Sequence, residues 1–311
     1  MLSEVEGKTI FITGAGGFIG SAVVAALLRS GARVRALAGA PDDAIRELPR
    51  EVLAMRGEIT DEVAVSELMA GADAVVHLAG PPSVAGSFEQ PVEYVRVHVS
   101  GTATVLAACR RLNVRRLVYL SSAEVYGCPQ TNPVREDHPL QARSPYAAAK
   151  IGAEKLVESF AHAFAIGATI LRPFSIYGPG LSSASLIATI IRQAQQGGCV
   201  RLASLTPVRD YCYVEDLASA VVRACAVEGA SLVAINIGSG VGTSVGDVAS
   251  LVLRIIGREM PIIETGAGRP GGSEINCLIA DTRKAQAQLR WAPAYTLERG
   301  LAETIEEAVR A

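Results

Sequence analysis

Thr9–Gly20 reads TIFITGAGGFIG: a short β-branched and apolar run, a cluster of glycines, and the opening of a helix-length stretch, Phe18–Ser30. The glycines at 14, 17 and 20 are spaced G-x-x-G-x-x-G, one residue wider at the first gap than the common dinucleotide fingerprint. Each has a separate physical use. Gly14 permits a tight turn, Gly17 leaves room for backbone to approach a pyrophosphate, and Gly20 lets the helix pack on the strand. The helix start offers free N–H groups to the anion. A strand, a glycine turn and a helix in this order point to dinucleotide binding.

The same alternation continues along the chain. Further strands are expected at Arg33–Leu37, Val52–Met55, Ala74–Leu78, Arg116–Leu120 and Ala168–Leu171, with helices over Glu62–Met69, Val92–Leu112 and Tyr146–Phe164. Strands that read as continuous apolar runs, separated by helices, imply an α/β fold: a doubly wound (Rossmann) parallel sheet covered on both faces. Gly31 follows the first helix, where a left-handed cap is needed.

After about Phe174, turn-rich stretches such as YGPGLSS, QQGG, TGAGRPGG and WAPAY separate shorter elements. This part reads as a smaller, interleaved C-terminal substrate-binding portion. The expected division is 1–174 for the dinucleotide domain, with 210–237 returning to it through Val214–Ala226 and Leu232–Ile237, and 175–209 plus 238–311 for the substrate portion.

Composition excludes several classes. The chain has 311 residues, half of them hydrophobic, and a net charge of −2 without basic clusters, so neither nucleic acid nor an anionic membrane is an expected partner. No apolar run reaches the roughly 18 residues of a membrane span. The six cysteines form no C-x-x-C pair and have no histidine at metal-ligand spacing, so no metal is expected and the thiols read as reduced and mostly buried. The opening MLSEVEGKTIFITG lacks the apolar core of a secretory leader, and a cytoplasmic location is the default expectation.

The strand VRALAG would decide between the two nicotinamide cofactors, because a carboxylate at its end binds the ribose 2′-hydroxyl. Ala38 and Gly39 stand there, with Asp42 and Asp43 slightly beyond; Arg33 and Arg35 lie within the strand, poorly placed for a 2′-phosphate. NAD and NADP both remain open on these residues.

A second constellation carries chemistry. LVYLSSAEVYG (117–127) is a strand running into a loop, and SPYAAAK (144–150) opens a helix with Ser144 as cap and Pro145 in the first position. Tyr146 and Lys150 are four apart and share one face. A free phenol has a pKa of about 10, and bringing it near neutrality takes roughly 4 kcal/mol of differential stabilisation. A nearby ammonium together with a positive nicotinamide ring can supply this in a partly dry site. Tyr146 would then move the proton of a substrate hydroxyl while Ser122 holds the same oxygen. Alone, Y-x-x-x-K is an ordinary surface helix pair; behind the glycine turn and SSAEVYG it is not.

With TGAGGFIG, HLAG (77–80), VSGT (99–102), SSAEVYG, SPYAAAK, LRPFSIYGPG, RDYCYVEDL, INIGSG and ADTRKA in this order, the chain resembles the extended short-chain dehydrogenase/reductase family, specifically its NAD-dependent nucleotide-sugar epimerases and dehydratases. The resemblance implies Ser122, Tyr146 and Lys150 as the catalytic triad, and NAD as the favoured cofactor. It implies that Gly14, Gly17, Phe18, Ile19 and Gly20 hold the pyrophosphate. It places Glu58 and Ile59 at the adenine, Leu78, Ala79 and Gly80 along the dinucleotide, and Pro173 at the nicotinamide end. Arg209 and Arg269 match arginines that grip the diphosphate of the sugar nucleotide. It also implies a homodimer formed by the helices near 92–112 and 146–164. Three positions depart from the pattern: His98 and Ser175 replace asparagines, and Gly272 replaces an acid. Ser175 stands where the replaced Asn contacts the diphosphate, and His98 reads as a satisfied structural group rather than a base.

Glu124 bears on the reaction. In 4,6-dehydratases of this family an Asp–Glu pair follows the catalytic hydroxyl, whereas Ala123–Glu124 stands here. The expected activity is therefore 4-epimerisation of a nucleotide sugar, most simply UDP-linked. The alternatives are a dehydratase or decarboxylase using Glu124, an NADPH-dependent 4-ketoreductase, and a dinucleotide sensor without turnover.

Overall fold

β1 (Thr9–Thr13) is buried along its whole length and lies in the interior of a seven-stranded parallel sheet. The computed structural model describes residues 5–39, 48–229, 231–266 and 273–310. The remaining strands of that sheet are β2 (Arg33–Ala38), β3 (Leu53–Arg56), β4 (Ala74–His77), β5 (Arg116–Leu120) and β6 (Gly167–Pro173), followed by a seventh, Leu232–Ile237. The order is Leu232–Ile237, β6, β5, β4, β1, β2, β3. Chain order reverses between β1 and β4, which is the switch point where such sheets bind ligands at their carboxyl ends.

Helices cover both faces, as the continuous apolar strands require. On one side α1 (Phe18–Arg29) packs with the helix Val214–Ala226 over Ile10, Ile12, Val76 and Val118. On the other, α2 (Glu62–Met69), α3 (Gly101–Leu112) and α4 (Pro145–Phe164) cover Phe11, Val75, Leu117 and Ile170. Gly31 has φ +77°, so the left-handed cap expected after α1 is present.

The stretch 92–112 is not one regular helix. A short helix over Pro91–Val95 passes through a π turn at Arg96–Ser100 before α3 begins. The wide turn carries buried His98 inward. Immediately after it, Gly101 presses so close to Ile59 that a Cβ would lie 2.6 Å from Cγ2.

The other strands are β7 (Ser175–Tyr177), β8 (Val200–Leu202), β9 (Val208–Tyr213), β10 (the seventh strand above), β11 (Gly242–Ser244), β12 (Ile262–Glu264) and β13 (Cys277–Leu278). β9 pairs with β7, β11 and β13 in a separate small sheet, so residues 210–213 lie outside the large sheet and the return to it begins at Val214. The anchor is Asp210, fully buried, whose carboxylate accepts hydrogen bonds from Ser239 N (2.6 Å), Gly240 N (2.9 Å) and Ala280 N (3.0 Å). Conversely, Ala285, Leu289 and Trp291, expected in the substrate portion, pack into the core on the α1 side of the large sheet. A separate core of Tyr177, Ile187, Ile190, Val248, Val252 and Leu301 holds the smaller part together.

Candidate active site

Register aligns one row of residues across the large sheet: Ala234, Ile170, Tyr119, His77, Thr13, Leu37 and Met55. The expected cofactor-contacting loop residues and Ser122 lie a few residues beyond this row, on its carboxyl side. Gly14–Gly20 follow β1, Glu58 and Ile59 follow β3, Leu78–Gly80 follow β4, Ser122 follows β5, and Pro173 ends β6. One edge of one sheet therefore gathers them.

The three glycines of the turn differ in what constrains them. Gly14 has φ +76°, and a Cβ there would sit 2.9 Å from Ala79 N. A Cβ on Gly20 would lie 2.0 Å from Gly14 O, so only glycine lets α1 start against the turn. At Gly17 a Cβ would meet nothing closer than Gly14 O at 3.5 Å, an ordinary contact. The polypeptide itself does not require glycine at this position; space for an approaching ligand does. No side chain caps α1 and its first turn holds no acid, so its N–H groups and dipole face that space. The turn fits a pyrophosphate.

The glycine turn is tied to the loop after β4 by a hydrogen-bond relay. Ala79 N donates to Thr13 Oγ1 (3.2 Å), which donates to His77 Nδ1 (2.7 Å). His77 Nε2 donates to Thr102 Oγ1 (3.0 Å), which donates to the carbonyl of His98. Only a neutral imidazole satisfies this chain, and burial with the nearby Lys150 charge lowers the His77 pKa to about 3. Composition and spacing gave no sign of this relay, although Thr13 and His77 stand within two of the quoted motifs.

Tyr146 opens α4, whose N-terminus is capped by Ser144 Oγ on Ala147 N at 3.1 Å. Its ring is buried, with His98 edge-on at 5.5 Å and Tyr94 edge-on at 6.2 Å between centroids. Lys150, also buried, donates from Nζ to Leu120 O (2.7 Å) and lies 6.0 Å from the Tyr146 ring centroid and 5.1 Å from that of Tyr119. Ser122, two residues past β5, lies beside the Tyr146 phenol, whose ionised form it favours, and accepts from Glu124 N (3.2 Å). Ser122, Tyr146 and Lys150 are thus brought together.

Their protonation differs from what the motif alone suggests. Burial pushes the Tyr146 phenol up to about 12, opposed by the Ser122 hydrogen bond and reinforced by the Glu124 charge. Burial likewise pushes Lys150 down to about 7, opposed by Glu154. The expected lowering of the phenol is not a property of the polypeptide, because desolvation outweighs the opposing effect of Ser122. His98 donates from Nε2 to Pro81 O (3.1 Å), and burial first, then Lys150, lowers it to about 2. It is a neutral structural group.

The outer residues are less gathered. Ile59 is buried under Gly101, and Glu58 is exposed and paired with Arg96 at 3.2 Å. Ser175 begins β7 beside β9, where Arg209 donates to Val208 O (3.0 Å) and pairs with Glu274 (3.3 Å). Arg269 and Gly272, with Asp42 and Asp43, lie outside the described residues. Among the described residues no group of histidines, cysteines and acids could hold a metal, and no helix is long and apolar enough to cross a membrane.

Comparisons with known proteins agree with this geometry. Residues 10–238 match the NAD dependent epimerase/dehydratase family. The chain is 30% identical to a UDP-glucose 4-epimerase of Corynebacterium glutamicum, with 94% of this chain and 93% of the relative covered. It is 33% identical to a dTDP-glucose 4,6-dehydratase of Streptomyces griseus, covering 95% and 92%. Among solved structures, MoeE5 in complex with UDP-glucuronic acid and NAD superimposes with a TM-score of 0.88 at 31% identity, covering 97% of this chain and 99% of that one. The chain belongs to the NAD dependent epimerase/dehydratase family, of the extended short-chain dehydrogenase/reductase type.

Proposed function

We propose that the protein is an NAD-dependent 4-epimerase of a UDP-linked hexose or hexuronic acid. The observation that carries this reading is the buried Ser122–Tyr146–Lys150 cluster on the same sheet edge as the glycine turn. Bound at this edge, NAD would supply a reversible hydride acceptor for the sugar C4. Tyr146 removes the proton of the 4-hydroxyl and later restores it, Ser122 holds that oxygen, and Lys150 supplies the positive charge that favours the phenolate. The N–H groups of Phe18, Ile19 and Gly20 and the backbone at Gly14 and Gly17 receive the pyrophosphate. Glu58 and Ile59 flank the adenine, Leu78–Gly80 line the dinucleotide, and Pro173 touches the nicotinamide end. Ser175, Arg209 and Arg269 bind the diphosphate of the sugar nucleotide.

Ala123 favours epimerisation over dehydration. It is buried and follows Ser122 directly, and a methyl group cannot protonate a departing hydroxyl. A second reading, dehydration or decarboxylation with Glu124, is supported by the Glu124 charge acting on Tyr146. Incubating the NAD-loaded protein with UDP-glucose and UDP-glucuronic acid should give C4 epimers by NMR, with constant absorbance at 340 nm. A 4-keto-6-deoxy sugar or carbon dioxide would transfer the assignment to the second reading. Stoichiometric NADPH consumption with a keto-sugar would make the protein a reductase.

Gly17 separates ligand binding from folding. Gly17→Ala should fold with unchanged Tm, because its methyl finds ordinary contacts. Its NAD Kd, read by calorimetry, should rise about tenfold or more, a loss of roughly 1.4 kcal/mol. Unchanged affinity would remove the pyrophosphate from this turn.

On the same reading, 1–174 with Val214–Ile237 forms the dinucleotide half and the rest supplies the sugar site, apart from the Arg283–Trp291 buttress. The protein is a cytoplasmic homodimer joined through α4 and the helical stretch 92–112, where Val92 (81% exposed) and Val95 (49% exposed) offer apolar surface.

A further inference from the structure

Directly behind the Tyr146–Lys150 pair lies a buried polar network that the roles above do not use. Glu154 follows Lys150 by one helical turn on α4, so the two share a face. It is 0% exposed. Its Oε2 receives Arg172 NH2 from β6 at 2.7 Å and its Oε1 receives Arg172 Nε at 3.0 Å, a bidentate fork. Ser121 Oγ, one residue before Ser122, donates to the same Oε1. Arg172 NH1 donates to Tyr126 OH (2.9 Å) and to Glu136 O (3.1 Å), and Tyr126 OH donates to Asn236 Oδ1 (2.6 Å). The network thus bolts α4 to β5, β6 and β10.

A buried ion pair is weak support for stability, because both ions lose their water. What this one offers is a fixed negative charge facing a buried cation. The groups around Lys150 are Tyr146 and Glu154 on α4, Tyr119 and the Leu120 carbonyl on β5, His77 on β4, and His98 on the π turn. The two histidines are neutral and the two tyrosines are protonated, so Glu154 is the carboxylate among them. We propose that Glu154, clamped by Arg172 and Ser121, is the positioning residue that balances the Lys150 ammonium and keeps it charged beside Tyr146. This rests on the reading of Tyr146 and Lys150 as the proton-handling pair. Without the clamp, a free carboxylate four residues along would take the Lys150 ammonium for itself and draw it from the Leu120 carbonyl. With it, the charge acts at a distance.

The lysines are Lys8, Lys150, Lys155 and Lys284, few enough for Lys150 to be followed by NMR after labelling the lysine Cε with carbon-13, assigned with Lys150→Met. In the full-length wild type its titration midpoint should fall near pH 7, where burial and Glu154 oppose each other. In Glu154→Gln the midpoint should move down by about one pH unit or more. The acidic limb of turnover with UDP-glucose should keep its position, while the loss of activity with rising pH should start about one unit earlier. Glu154→Asp should restore part of the shift.

Glu154→Gln strands Arg172 and could fail to fold, so Glu154→Gln/Arg172→Gln, which neutralises both partners, is measured beside it. It should show the same direction of shift. If Lys150 titrates within a few tenths of a pH unit of wild type in the folded variants, Glu154 is a structural brace only and the proposal fails. If Lys150 shifts but the pH profile of turnover does not follow, the charge coupling stands and the catalytic reading of the pair is what fails.

Discussion

Tyr146→Phe is expected to lower kcat by three orders of magnitude or more, while Tm and copurified NAD stay at wild-type levels. The variant removes one oxygen and keeps the ring that His98 and Tyr94 contact edge-on at 5.5 and 6.2 Å. Packing is therefore preserved, and a buried polar atom that costs free energy is removed. What disappears is the only group that can exchange a proton with the sugar hydroxyl under this mechanism. General acid–base catalysis contributes about 10²–10⁴-fold in enzymes, and water has little access to replace it here because Tyr146 is 8% exposed. Ser122→Ala, which leaves the phenol and loses only its hydrogen-bond partner, should cost less, on the order of ten- to a hundredfold. Single-turnover measurements separate this from binding. If Tyr146→Phe kept a tenth of the wild-type rate, the proton would be travelling through another group. If it matched wild type in every assay, a sensor without turnover would become the better description.

The alternation of short apolar strands with helices was legible because it is a local property, and β1, β5 and α2 lie where their patterns put them. Gly14 and Gly20 were legible for a related reason: a Cβ at either would strike backbone within a few residues or on the adjoining loop. The Tyr146–Lys150 pair was legible from helical spacing. What sequence spacing could not carry is distance in three dimensions. Glu154 and Arg172 are 18 residues apart and meet only because α4 lies across β6. The pattern Y-x-x-x-K-x-x-x-E contained half of that pair, but nothing local says that an arginine waits opposite. The π turn at Arg96–Ser100 escaped because its residues have ordinary helical character, and the contact of His98 with Pro81 that accompanies it is tertiary. The phenol pKa escaped for the same reason. Four-residue spacing gives the neighbour, whereas burial, which wins here, is decided by the whole fold. For Arg209 the motif gave the residue, and the structure adds its present partner, Glu274.

Those buried histidines lead to the second large effect: folding stability should fall steeply as pH drops below 6.5. His77 and His98 have folded pKa values lowered to about 3 and about 2, against 6.5 when unfolded. Between pH 6.5 and about 3 the unfolded chain binds both protons and the native state binds neither. Stability therefore increases with pH throughout this window, is fully present above 6.5, and is lost on acidification. Each histidine contributes about 1.4 kcal/mol per pH unit once the unfolded imidazole is protonated, so moving from pH 6.5 to 4.5 should cost roughly 5 kcal/mol from the pair, comparable to the whole stability of many domains. The physical origin is specific. A proton on His77 Nδ1 would break its bond from Thr13, and a charge on either ring would lie beside Lys150. His98→Asn provides the control, since an amide fills much of the same space without titrating. Urea unfolding at pH 7.5, 5.5 and 4.5 should show the slope of stability against pH reduced by about half in that variant. A slope equal to wild type would mean that His98 is protonated in the native state or relaxes into water, and the tight seat between Gly80, Pro81 and Tyr146 would have to open to allow it.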